Sequence, residues 1–127
     1  MIENLSLKKI MESGLPVYLL GAVSKTGMKL IQMLKDNNIR PNAVWDEDFL
    51  KIKYSEEHKN LREDIFSSWG LCVEPVPVNF NVYPKGIIFV TAQERFQRNW
   101  LKYARERKGE HVIYDGFDIT LFPVHYA

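Results

Sequence analysis

The residues best suited to chemistry lie in the turn Gly21-Ala22-Val23-Ser24-Lys25-Thr26-Gly27, between an apolar run and a helical pattern. Backbone amides and the helix dipole at such a junction favour a bound phosphate. Hydroxyl groups in the turn could donate hydrogen bonds to it, and a lysine could supply charge. We therefore predict a nucleotide-binding turn whose contact residues are Gly21, Ala22, Ser24, Lys25, Thr26 and Gly27.

The glycine spacing departs from the best-known phosphate-binding motifs. Aligned to G-x-G-x-x-G, Gly21 matches, but Val23 and Thr26 occupy the other two glycine positions. The spacing G-x-x-G-x-x-G fits better, with Ser24 in the middle. A P-loop is excluded because Ser24, and not a glycine, precedes Lys25. An equally simple interpretation is that the glycines permit a tight turn and close packing while Ser24 caps the helix.

Three further polar positions follow later strands. Asp46 ends the second predicted strand 25 residues after Gly21, where a Rossmann domain places an acid that holds ribose hydroxyls. Such an acid would repel the extra phosphate of NADP. Alternatively, the acidic cluster Asp46-Glu47-Asp48 is a solvated turn. Thr91 and Gln93 follow a later strand and could contact the ligand, or could cap the next helix.

The elements that must position these residues alternate along the chain. Hydrophobic periodicity predicts helices over 2–11, 25–38, 55–69 and 93–108, and strands over 16–23, 43–45, 86–92, 111–116 and, at an edge, 119–122. The proline-rich segment 71–85 is predicted to be a mostly extended connection with at most a short or edge strand. This alternation predicts a Rossmann-like, doubly wound, mostly parallel sheet in three α/β/α layers, of order 3-2-1-4-5. The crevice should then lie between Gly21 and Ala92.

The helix over 93–108 has two predicted faces. Phe96, Trp100 and Ala104 lie four residues apart and are expected on its inner side. The opposite side is basic, which usually means a solvated surface; it comprises Arg95, Arg98, Lys102 and Arg105.

Composition predicts a soluble globular protein with one domain over 1–127, of which 1–14 form a leading helix. The chain has 127 residues, 46% of them hydrophobic, and a net charge of +1, which favours neither nucleic acid nor a membrane. The single cysteine, Cys72, lies in an apolar run and is expected to be buried. Without a leader or a second cysteine, we expect the cytoplasm. The three histidines are widely spaced, so no metal site is expected, and no catalytic constellation is recognisable.

Several segments carry a resemblance to a known group of domains: PVYLLGAVSKTGMKLI over 16–31, NAVWDED over 42–48, GIIFVTA over 86–92 and GEHVIYDG over 109–116. The chain resembles the small Rossmann-like, NAD(P)- or CoA-binding-like domains attached to bacterial sugar O-acyltransferases and nucleotide-sugar-modifying enzymes. Their pattern is a strand, G-A-G-x-x-G, a helix, and a second strand ending in an acid; Val23 departs from it. The resemblance implies a NAD or nucleotide-sugar ligand, bacterial carbohydrate metabolism, and contacts at Gly21, Ser24, Asp46 and Thr91.

Three functions are therefore open. The first is a binding module for a nucleotide-type small molecule, acting with a larger catalytic protein or as a homo-oligomer. The second is a degenerate Rossmann domain used for protein association, which Val23 would indicate if its side chain fills the phosphate position. The third is a small oxidoreductase, which needs a proton donor; Tyr18 lies in a buried strand and no Y-x-x-x-K occurs.

Overall fold

The computed structural model describes residues 7–117, in which helices and strands alternate as the sequence predicts. The helices are α1 (Leu7–Ser13), α2 (Lys25–Asp36), α3 (Phe49–Tyr54), α4 (Lys59–Trp69) and α5 (Glu94–Glu106). The strands are β1 (Val17–Leu20), β2 (Ala43–Trp45), β3 (Val73–Glu74), β4 (Ile87–Val90) and β5 (Val112–Asp115). The chain also forms two short 3-10 turns, Glu56–His58 and Phe80–Val82.

The five strands form one parallel sheet in the order β3-β2-β1-β4-β5. The predicted doubly wound, Rossmann-like α/β fold and its strand order are therefore confirmed. Leu20, the last residue of β1, lies opposite Trp45 of β2 and Val90 of β4, so the three strands end at the same level. Because the chain winds outward from β1 in both directions, the winding reverses between β1 and β4.

Helices cover both faces of the sheet. Side chains alternate along β1, so that Val17 and Leu19 enter one core cluster while Tyr18 and Leu20 enter the other. The first cluster receives side chains from α1 to α4, and the second from α5 and the connection before β4. Burial on both faces explains why the strands are continuous apolar runs.

The segment after β2 differs from the prediction. Helix α3 was not expected, and the helix predicted over 55–69 is divided into a 3-10 turn and α4. The Ser55 side chain accepts from the Glu57 backbone amide and so caps the 3-10 turn, not α4. Ile52 anchors α3 by full burial in the first core cluster.

Two predictions of burial are wrong. Phe96 is 42% exposed, because the inner face of α5 is formed by Gln97, Leu101 and Ala104. Cys72 is exposed, because it precedes the two-residue edge strand β3, where only Val73 is buried. The possible strand over 119–122 lies outside the described residues. Within residues 7–117, no helix is long and apolar enough to cross a membrane.

Candidate functional site

Gly21 closes the end of β1 and brings three strands together. Its amide donates to the Trp45 carbonyl of β2 at 2.7 Å, and its φ is +106°. A Cβ at this position would lie 2.4 Å from the Thr91 carbonyl oxygen, which follows β4. The turn therefore requires a glycine both for its backbone conformation and for the close approach of β4.

Ser24 and Thr91 fasten this turn to the end of β4. Ser24 is the N-cap of α2: its hydroxyl accepts from the Gly27 amide at 2.9 Å and donates to the Thr91 carbonyl at 2.7 Å. The buried Thr91 hydroxyl donates to the Gly21 carbonyl at 2.8 Å. A Cβ at Gly27 would lie 3.1 Å from the Ala22 backbone, so this glycine lets α2 pack closely on the turn.

Asp46 lies at the end of β2 and holds the same turn from the other side. Asp46 is buried; its Oδ2 accepts from the Ala22 amide and its Oδ1 from the Asp48 amide, both at 2.9 Å. Each carboxylate oxygen can accept a second hydrogen bond, so these contacts leave Asp46 able to accept from a ligand hydroxyl.

A cavity of about 270 Å³ lies over these strand ends. Among the residues predicted to contact a ligand, the structure brings five together in its lining: Gly21, Ser24, Asp46, Thr91 and Gln93. Four do not line it: Ala22 and Gly27 are buried, Lys25 is exposed at the start of α2, and Thr26 is half-buried there. Gln93 is at the N-cap position of α5, but its side chain makes no capping hydrogen bond.

The sequence did not predict the part of the cavity wall that α3 and the following 3-10 turn form. Lys51 of α3, with Glu57 and His58 of the 3-10 turn, lines it from the first face of the sheet. These residues were not expected in the lining because α3 was not predicted. The apolar pair Phe49 and Ile52, three residues apart, was a weak signal of that helix.

The cavity has two chemically different sides. Near β2 and α3 lie the carboxylates of Asp46, Glu47, Asp48 and Glu57, with Lys51 as the cation among them. Toward α5 the lining is aromatic and consists of Phe96 and Trp100. The carboxylates suit hydrogen-bond donors such as sugar hydroxyls and disfavour a phosphate beside them. The amino terminus of α2 is the positive end of a dipole and lies between the two sides.

Val23 stands where the motif has its second glycine. Its half-buried side chain packs against the first core cluster and also lines the cavity. A valine side chain there keeps a ligand further from the backbone of the turn than a glycine would. Among residues 7–117, no group of histidines, cysteines and carboxylates is arranged to hold a metal ion.

Comparisons of the chain with protein-family models, curated proteins and solved structures gave no match.

Proposed function

We propose that this chain binds a nucleotide-type small molecule, such as NAD or a nucleotide sugar, over the carboxyl ends of β1 and β4. The position of the cavity is the main support for this proposal. The cavity lies where the winding of the sheet reverses, which is where open parallel sheets bind their ligands. Its volume of about 270 Å³ is close to the lower end of the range for small-molecule sites, so part of such a ligand would extend into solvent. The resemblance to sugar-modifying proteins adds bacterial carbohydrate metabolism as the proposed setting.

The polar groups suggest how such a ligand would lie. Ribose or sugar hydroxyls would donate to the carboxylates, chiefly to the exposed Glu47 and Asp48, because Asp46 already accepts from two backbone amides. The diphosphate would approach the amino terminus of α2, and Lys51 supplies a cationic side chain in the lining. The carboxylates would repel the additional phosphate of NADP, so we expect NAD to bind more tightly than NADP.

The test is the melting temperature of the chain with NAD, NADP, CoA and UDP-sugars. A ligand at about 100 times its Kd stabilises the native state by about 2.7 kcal/mol, which raises Tm by several degrees. Gln93→Trp should fill the cavity and so abolish the ligand-dependent shift in Tm. The fold should tolerate this substitution, because Gln93 is exposed and its side chain makes no capping hydrogen bond. Asn99→Trp is the control, an exposed position on the same helix that does not line the cavity. The proposal fails if no compound shifts wild-type Tm, or if Gln93→Trp responds like wild type.

Protein association is the second candidate, and the turn itself favours it. The Val23 side chain lines the cavity where the motif has a glycine, and the polar groups of Ser24, Asp46 and Thr91 all make hydrogen bonds within the chain. This candidate predicts no nucleotide-dependent shift together with a concentration-dependent mass in sedimentation experiments. We do not propose an oxidoreductase, because the Tyr18 hydroxyl donates to the Pro84 carbonyl at 2.6 Å and does not line the cavity.

A further inference from the structure

Helix α5 presents two aromatic rings to the cavity, Phe96 from outside its buried face and Trp100 from the margin of that face. Its buried face is formed by Gln97, Leu101 and Ala104. Phe96 is 42% exposed and packs in neither core cluster, and Trp100 is half-buried at the margin of the second. An exposed phenylalanine in a concave site can gain stability by contact with an apolar ligand surface.

Each ring has a neighbouring side chain on α5. The Arg95 guanidinium lies 4.7 Å from the centre of the Phe96 ring. Trp100 meets Tyr103 edge to face, with ring centres 5.1 Å apart and planes at 63°, and the Tyr103 hydroxyl donates to Pro77. Trp100, which packs against Tyr103 and the second core cluster, would lose little rotational freedom when a ligand stacks on it.

We propose that Phe96 and Trp100 form a stacking wall for the base of the ligand, so that the site selects ligands by their base more than by their phosphates. This inference rests on the proposed nucleotide binding. The carboxylates of the opposite wall offer acceptors for hydroxyls but no flat apolar surface, whereas α5 offers flat surface and few polar groups. The base therefore faces α5, and the sugar faces β2 and α3.

The experiment measures Kd by calorimetry for NAD, UDP-glucose and the base-free probe ribose 5-phosphate. Stacking on one aromatic side chain contributes about 1 to 3 kcal/mol, so Phe96→Ala should weaken the binding of the tighter-binding nucleotide by about 5-fold to about 150-fold. Phe96→Leu should weaken nucleotide binding to a similar extent, because leucine keeps the apolar bulk but has no ring. Phe96→Tyr should bind the nucleotide like wild type. Phe66→Ala is the matched control, since Phe66 is 61% exposed on α4 and does not line this cavity.

Tryptophan fluorescence gives an independent measurement. Trp45 and Trp69 are buried at 0% and 8% exposure and do not line the cavity, so a base stacked on Trp100 should quench mainly its emission. Trp100→Phe should remove the quenching while nucleotide binding persists. Nucleotide binding that is unchanged in Phe96→Ala, or matched by ribose 5-phosphate, would overturn the stacking wall and leave the proposed function standing. Failure of every nucleotide to bind wild type would overturn both.

Discussion

Gly21 is the residue on which the shape of the crevice depends, because it combines a φ of +106° with a neighbour only 2.4 Å from any added Cβ. We expect Gly21→Ala to lower the free energy of unfolding by about 3 kcal/mol or more, through backbone strain and displacement of Thr91. Gly70→Ala is the control: its φ is +70°, but no atom lies within 4 Å of the added Cβ. It should cost about 1 to 2 kcal/mol. Equal losses in urea unfolding would show that the close approach of β4 is unimportant.

Asp46 should stabilise the chain even without a ligand. Asp46→Ala removes the acceptor of the Ala22 amide, and Ala22 is fully buried. An unpaired buried amide costs about 1 to 3 kcal/mol, so we expect that loss in urea unfolding of the ligand-free chain. Glu47→Ala, at an exposed neighbour, should change stability by less than about 0.5 kcal/mol. If Asp46→Ala unfolds like wild type, the carboxylate serves only the cavity.

Local chemistry explains which residues of the candidate site could be predicted. A glycine after a buried strand, a serine before a helix and an acid after the next strand are signals within a few residues, and Gly21, Ser24 and Asp46 occupy the expected positions. Their partners could not be predicted, because Ser24 bonds a residue 67 positions away and Asp46 one that lies 24 positions away. Such pairs depend on how the strand ends are arranged in space.

At the scale of elements, the buried side-chain amide of Gln97 links α5 to the sheet by hydrogen bonds. Gln97 accepts from the Ala92 amide at 2.7 Å and donates to the Val90 carbonyl at 2.7 Å and to Asp115 at 2.9 Å. Gln97→Leu keeps the approximate volume but removes the acceptor of the Ala92 amide and the donor to the Val90 carbonyl, so we expect a loss of about 2 to 4 kcal/mol in urea unfolding. Gln32→Leu, whose amide makes only an exposed bond to Asp36, should lose less than about 0.5 kcal/mol. Similar losses of stability in Gln97→Leu and Gln32→Leu would argue against a stabilising role for the Gln97 hydrogen bonds.

The same buried amide shows why Phe96 lies outside the inner face of α5, although Ala104 lies in it as predicted. Apolar periodicity favours Phe96 and Trp100 as the inner face, but the end of β4 presents backbone groups that need polar partners, and Gln97 supplies them. Helix α3 was missed for a related reason. It has six residues and no side-chain cap, so it depends on the burial of Ile52 and not on local propensity.

At the scale of the whole molecule, the strand order could be predicted because few topologies suit the pattern. Parallel strands need crossover connections, and right-handed crossovers leave few ways to arrange alternating helices and strands. The prolines of 71–85 confined that segment to an edge, where β3 has only two residues. The position of the cavity follows from this order, whereas its acidic and aromatic sides depend on α3 and α5.

The second face of the sheet is built around an aromatic cluster that joins distant parts of the chain. The Tyr18 ring of β1 stacks on Trp45 of β2, with centres 5.1 Å apart, and Trp45 stacks on Phe80 at 5.4 Å. Tyr83 meets both Tyr18 and Trp45 edge to face. Burial raises the pKa of Tyr18 above 10.0, with a smaller contribution from Tyr83. Burial likewise raises the pKa of Tyr83. The Trp45 indole lowers this pKa and Glu74 raises it, both by less than burial does.

These pKa shifts predict alkaline destabilisation of the whole fold. In the unfolded chain the two phenols ionise near pH 10, whereas the folded chain retains their protons to higher pH. Their contribution is therefore fully present below pH 10 and is lost as the pH rises above it, because only the unfolded state gains from ionisation. Urea unfolding at about pH 9 and about pH 11 should show this loss, and Tyr18→Phe should make it smaller while losing the hydrogen bond to Pro84. An absorbance titration should show part of the tyrosine signal delayed in the folded chain. A native titration that superimposes on the urea-unfolded one would mean that the cluster does not exclude water from its hydroxyls.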